Sequence, residues 1–217
     1  MSEAIDAFDR VAGGYDEWYA TEKGRQVFAA ERGLLERMLP SDGVGLEIGA
    51  GTGAFADALS DPRRVICLDL SREMLARAAA KGLPCVLVSA DRMPLRDGTL
   101  DFAYMVTVME FLEEPVTTLA EASRVTTRNA PIVALTINAE SSWGRLYASM
   151  AERDDPIFSH AHLYAPTEVE GIGRDAGLRR LEALGTLTTD PTSPEAGGEI
   201  QEPGAETGVV ATRFARR

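Results

Sequence analysis

Apolar residues recur along the first forty positions at close to helical spacing. Ile5, Phe8, Val11, Tyr15, Trp18 and Tyr19 form one series, interrupted at Gly13-Gly14. Val27, Phe28, Leu34, Leu35, Met38 and Leu39 form a second. The spacing predicts helical structure over residues 1–39, with one helix running from about Arg25 to Leu39 and stopped by Pro40. The rhythm then shifts to short, nearly continuous apolar runs: 44-VGLEIGA-50, 65-VICLDL-70, 85-CVLVSA-90, 100-LDFAYMVTV-108 and 131-PIVALTIN-138. Helical stretches at 54–60, 72–81 and 115–125 separate them, with Ser71 placed to cap the middle one and Gly82 to end it. Apolar strands alternating with helices predict a parallel sheet covered on both faces.

Beyond Asn138 the pattern loosens. A helix is expected at 142–153, followed by a loop carrying both histidines, His160 and His162. Thr167-Glu168-Val169-Glu170 has the form of a capping box, opening a helix that ends near Gly177. Two further strands are expected, at 179–189 and 208–217, joined by an exposed loop rich in Pro, Gly, Glu and Thr. With no helix between them, these strands read as an antiparallel hairpin closing the sheet. There is no internal repeat and no domain linker in the 217 residues.

Composition narrows the function classes. A 45% hydrophobic content is that of a globular chain, and a net charge of −12 disfavours nucleic acid as a partner. No apolar run is long enough to span a membrane, and the polar start MSEAIDAFDR does not resemble a leader, so a cytoplasmic protein is expected. Cys67 and Cys85 lack metal-ligand spacing and read as buried thiols; no metal site is expected.

The chemistry concentrates at Gly49-x-Gly51-x-Gly53, between a strand and a helix. Glycines there permit a tight turn and close approach of a ligand to backbone. Asp69 ends the next strand and is placed to accept hydrogen bonds from ribose hydroxyls. Together these indicate an adenosine-type cofactor. Ala54 also satisfies the looser dinucleotide fingerprint, which leaves an NAD-type oxidoreductase open. Three features favour S-adenosylmethionine (SAM). Glu47 inside the glycine strand would repel a pyrophosphate and needs donors, from a loop amide or the cofactor's ammonium. Asp91 can accept from an adenine amine, and the chain closes with a strand hairpin.

The motifs 46-LEIGAGTG-53, 68-LDLSREMLARA-78, 89-SADRMPLRDGTLDFAYMVTVMEFLEEP-115 and 163-LYAPTEVEGIGRDAGL-178 resemble, in order and spacing, the class I SAM-dependent methyltransferases. Within these they are similar to the small-molecule group of the ubiquinone and menaquinone biosynthesis enzymes (methyltransferase type 11). The resemblance implies a Rossmann-like α/β fold: a doubly wound seven-stranded sheet, mostly parallel with a final antiparallel strand, and helices on both faces. It implies a single domain over 1–217, with a helical lid at 1–40, a cofactor-binding half at 41–138 and a substrate-side half with the closing hairpin at 139–217. Glu47, Gly49, Ala50 and Gly51 would face the methionine part of SAM, and Asp69 the ribose. Leu70 and Met74 would pack near the adenosine, Asp91 would hold the adenine amine, and Arg92 and Met93 would flank the ring. Val106 would lie beneath the sulfonium, with Tyr15 in the lid segment 15-YDEWY-19.

The implied reaction is in-line transfer of the methyl group to a small-molecule acceptor, leaving S-adenosylhomocysteine (SAH). Alignment supplies much of the acceleration, and a general base matters only where the acceptor must lose a proton. Candidate bases are His160, His162, Glu110 and Tyr164, although Glu110 is otherwise expected at the surface or at a helix start. Family members often carry a histidine where this chain has Met109-Glu110, so no catalytic histidine carries over there. Tyr19, Trp143 and Tyr147, with Tyr15, are candidates for an aromatic pocket wall. The Asn/Asp-Pro-Pro-Tyr segment of nucleobase and glutamine methyltransferases is absent after the fourth strand, where 106-VTVM-109 stands. A cofactor-binding subunit without catalysis also keeps this pattern. Oligomeric state is not legible.

Overall fold

A computed structural model describes residues 3–217; the first two residues of the expected N-terminal helical segment lie outside the described residues. The chain opens with α1 (Glu3–Val11), α2 (Glu17–Ala20) and α3 (Glu22–Met38). It continues through β1 (Val44–Ile48), α4 (Ala54–Leu59), β2 (Arg64–Asp69), α5 (Arg72–Ala80), β3 (Cys85–Leu87) and β4 (Phe102–Val106). Then follow α6 (Pro115–Val125), β5 (Ile132–Ile137), α7 (Ser142–Ala151), α8 (Pro166–Asp175), β6 (Leu178–Thr186) and β7 (Val209–Arg216). Short 3-10 turns occupy Met109–Phe111 and Phe158–His160.

The seven strands form one sheet in the order β3-β2-β1-β4-β5-β7-β6. β1 to β5 pair in parallel, and β7 runs antiparallel to both β5 and β6. This is the Rossmann-like methyltransferase sheet, with the last strand slotted between its two predecessors. The two-residue period of β4 divides the core. Phe102, Tyr104 and Val106 pack on one face with α3, α4 and α5, while Ala103 and Met105 pack on the other with α6 and α8. Because β1 lies between β2 and β4, the chain reverses its direction of winding there, and a crevice opens beyond the carboxyl ends of the strands.

Several local expectations are corrected. α3 starts at Glu22, because Thr21 caps it by accepting from the Gly24 amide at 3.0 Å. α8 starts at Pro166, with Thr167 already inside its first turn. The Glu168 carboxylate accepts from the Ala165 amide at 2.7 Å, and Glu170 pairs with Arg180 instead, so the box forms two residues earlier than anticipated and with its acidic half only. β3 ends at Leu87: the Val88 amide still bonds Asp69, where β2 stops, and nothing lies beyond to pair with. The loop before β7 is not freely exposed. Ala196 is buried and its amide donates to Gln26 on α3, and the Trp143 indole donates to the Thr189 carbonyl at 2.8 Å. Cys67 is buried, Cys85 only half-buried; they are register partners on β2 and β3, and both are free thiols. Among the described residues no helix is long and apolar enough to cross a membrane.

Candidate active site

A cavity of about 620 Å³ occupies the crevice. Its floor is the glycine turn after β1 and the ends of β2 and β4; its roof is α1. That volume is in the ~300–1,000 Å³ range of small-molecule and cofactor sites.

Gly49 and Gly51 both adopt left-handed backbone, at φ +65° and +55°. Their surroundings differ. A Cβ on Gly49 would lie 2.5 Å from a Val108 methyl, so this glycine lets the turn pack against the segment after β4. A Cβ on Gly51 would meet nothing within 4 Å; that face is open on the cavity wall. Asp69 holds the turn in place. Its Oδ2 accepts from the Gly51 amide at 2.7 Å and its Oδ1 from the Ser71 amide at 2.8 Å. Burial raises its pKa, opposed by these backbone donors. Each oxygen keeps a lone pair for a ligand hydroxyl.

Leu70 and Leu87 are among the few large apolar side chains that stand exposed, at 43% and 44%, and both are on the cavity wall. Apolar surface at the strand ends suits the faces of a planar ring. Asp91 and Met74 line the same end. At the other end Thr107 turns the chain out of β4 with a positive φ of 47°, a conformation that costs energy for a β-branched residue. It leads into the 3-10 turn that places Phe111 on the wall.

The roof is tied down at two points. Asp9 of α1 accepts from the Ser71 hydroxyl and from the Glu73 amide at the start of α5. Asp16 accepts from the Thr52 hydroxyl in the glycine turn and pairs with Lys81 at 3.1 Å. Phe8 then packs edge-on against Phe111, with centroids 5.0 Å apart, across the top of the cavity.

Of the residues anticipated around a cofactor, Tyr15, Gly49, Gly51, Asp69, Leu70, Met74, Asp91 and Val106 share this cavity. Four do not reach its wall. Ala50 is packed into the core beside α4. Met93 is buried on the far face and Arg92 is exposed. Glu47 finds its donors inside the protein: Tyr104 donates to it at 3.2 Å, and the Ala56 amide in the first turn of α4 faces it. Burial still pushes its pKa up to about 8. Through these contacts Glu47 joins α4 to β1 and β4.

The proposed bases also lie off the cavity wall, and of the candidate aromatic residues only Tyr15 is on it. Trp143 is buried against the loop at Thr189, Tyr19 packs on Phe28 and Phe55, and Tyr147 packs on Phe158. His160 sits in a 3-10 turn, and the ring of His162 meets Tyr164 edge-on. Glu110 is not a surface residue but only 2% exposed, because the turn after β4 folds inward under β5. Its Oε1 accepts from the Ile137 amide at 2.7 Å, and burial pushes its pKa up to about 7.

Two groups lie outside the sequence expectations. The α1 residues Ile5 and Phe8 belong to the helical pattern, but nothing local places that helix over the sheet. For Glu31 the sequence does carry a signal. It falls in the inward series Val27, Leu34, Leu35 and Met38 of α3, where an apolar residue belongs, and it is 6% exposed.

The sequence profile of the family described as "Methyltransferase domain" matches residues 46–134. A SAM-dependent methyltransferase from Thermotoga maritima, described as a possible histamine N-methyltransferase, superposes with a TM-score of 0.89. It is 27% identical and aligns over 99% of this chain and 100% of its own. Residues 46–134 therefore carry a methyltransferase domain, within a chain that has the fold of a SAM-dependent methyltransferase. An uncharacterised protein of Methanocaldococcus jannaschii is 29% identical to this methyltransferase across 95% of the chain and 97% of its own. The malonyl-[acyl-carrier protein] O-methyltransferase of Geobacter sulfurreducens is 32% identical over 55% of this chain and 47% of its own. The cofactor is therefore SAM, not a dinucleotide. The cavity suits it: an acid beneath the glycine turn, an open glycine face and exposed leucines at the strand ends.

Proposed function

We propose that this methyltransferase acts on a small molecule, under a lid formed by α1 and α2. The carrying observation is the cavity itself, which is continuous from Asp69 and Asp91 to Phe8, Tyr15 and Phe111 beneath the latched roof. Asp69 holds the ribose hydroxyls, Asp91 the adenine amine, and Gly49 and Gly51 give backbone to the methionine part. Bound SAM supplies an activated methyl group on sulfonium. The chain's own contribution is alignment and exclusion of water: Val106 and Thr107 shape the floor, and Phe8 and Phe111 close the top. A roof tied at Asp9 and Asp16 favours an acceptor small enough to be enclosed.

The relatives act on different atoms, as their names state: an oxygen of malonyl-[acyl-carrier protein] in one, nitrogen of histamine suggested in the other. Calorimetry with SAM and SAH tests the reading. Micromolar binding of both is expected, and no binding at millimolar ligand would sink it.

A further inference from the structure

Resting on that reading, the geometry points to an acceptor that carries a protonated amine, received by the buried carboxylates of Glu31 and Glu110 within an arc of aromatic rings.

The two acids come from distant parts of the chain and are both almost fully enclosed, at 6% and 2% exposure. Among the described residues neither forms an ion pair. Glu110 is fixed through Oε1 on the Ile137 amide, while its Oε2 is buried with no hydrogen-bond partner. An unpaired buried carboxylate oxygen is costly, and its natural complement is an N–H donor, best a charged one. Burial pushes the pKa of Glu31 up, with Glu110 adding to the rise, and neither acid has a cation of the protein paired with it among the described residues.

A continuous series of rings passes through Phe111, the chain neighbour of Glu110 in the same 3-10 turn. Tyr15 lies 6.4 Å from Phe8, Phe8 5.0 Å from Phe111, Phe111 6.4 Å from Phe158, and Phe158 4.4 Å from Tyr147. The charge of Glu31 acts on both ends of this arc, at Tyr15 and at Tyr147. Ring faces attract ammonium groups, and paired carboxylates supply the countercharge. The arc opens onto the cofactor cavity, because Tyr15, Phe8 and Phe111 line that cavity as well. An anion would be repelled by a carboxylate pair, and a hydroxyl brings one donor and no countercharge; an ammonium brings two or three N–H donors together with the charge.

The test uses the whole chain saturated with SAH, titrated calorimetrically with methylamine, butylamine and 2-phenylethylamine, each matched to its alcohol. At least one amine is expected to bind ten-fold or more tightly than its alcohol. Glu110→Gln and Glu31→Gln should each erase that preference while leaving SAH affinity and the melting temperature close to those of the parent chain. A panel in which no amine exceeds its alcohol overturns the inference, as does a preference that survives both substitutions. Failure of SAH itself to bind would instead overturn the methyltransferase reading on which the inference rests.

Discussion

The carboxylate of Asp16, in the turn before α2, accepts a hydrogen bond from the hydroxyl of Thr52 at 2.5 Å, so the cavity roof is fastened directly to the glycine turn. Thr52 is 2% exposed, whereas the second partner of Asp16, Lys81, is a part-exposed ion pair. A buried hydroxyl left unpaired costs ~1–3 kcal/mol, and an exposed ion pair little. Asp16→Ala should therefore raise amide exchange over residues 3–20 by about five-fold or more, since ~1 kcal/mol is a factor of five, with the strands unchanged. Lys81→Ala should leave exchange near the parent rate. Equal effects from the two would mean that the ion pair, not Thr52, holds the lid.

Asp69 joins the glycine turn to the start of α5 through two backbone amides. Asp69→Ala is expected to weaken SAM binding by about ten-fold or more, because hydrogen bonds to a charged acceptor are worth ~1.5–3 kcal/mol each. Affinity is read by calorimetry on protein whose fold has been checked by thermal unfolding. Unchanged affinity removes Asp69 from the ribose site.

The two glycines should fail in different ways. Gly49→Ala drives a Cβ to 2.5 Å from Val108 at a positive φ, so a lower melting temperature is its leading effect. Gly51→Ala meets no neighbour. Its cost to the fold is the left-handed backbone alone, ~1–2 kcal/mol, or about 2–8 °C at ~2–4 °C per kcal/mol for a chain of this length. Its Cβ enters the cavity, so SAM affinity should drop at least ten-fold. Normal affinity in Gly51→Ala would show that the cofactor does not touch this turn.

Stability should fall as pH rises through neutrality. Burial pushes Glu47 and Glu31 up to about 8 and Glu110 up to about 7, above the ~4.3 of a free glutamate. Below the unfolded value both states hold the protons and there is no penalty. Between that value and the folded one the unfolded chain has released protons that the folded chain retains, so stability declines with pH and levels off above about 8. Urea midpoints at pH 5.5 and 8.0 measure this. Glu47→Gln keeps an acceptor for Tyr104 and should raise the midpoint more at pH 8.0 than at 5.5. A parent midpoint that is flat over this interval would contradict the buried-acid account.

The order of strands and helices was open to reading from the chain alone, because each apolar run of the core is local and its length separates strand from helix. Glycines 49 and 51 and the acid at the end of β2 were legible for the same reason: a turn, a helix start and a strand end are set by neighbours in sequence. Ends of elements were less so. β3 stops where β2 stops, and α8 is capped at Ala165 rather than Thr167, since pairing and capping depend on a partner that the pattern alone does not identify.

The cavity roof and the Glu31–Glu110 pair belong to the folded molecule. Periodicity records that α1 has an apolar face and that α3 has one interrupted by Glu31; it carries no record of what either face meets. Asp9 reaching Ser71, Asp16 reaching Thr52, and Glu31 acted on by Glu110 from the turn after β4 are relations between elements remote in the chain. Their energies depend on burial, and burial exists only once the sheet has brought those elements together.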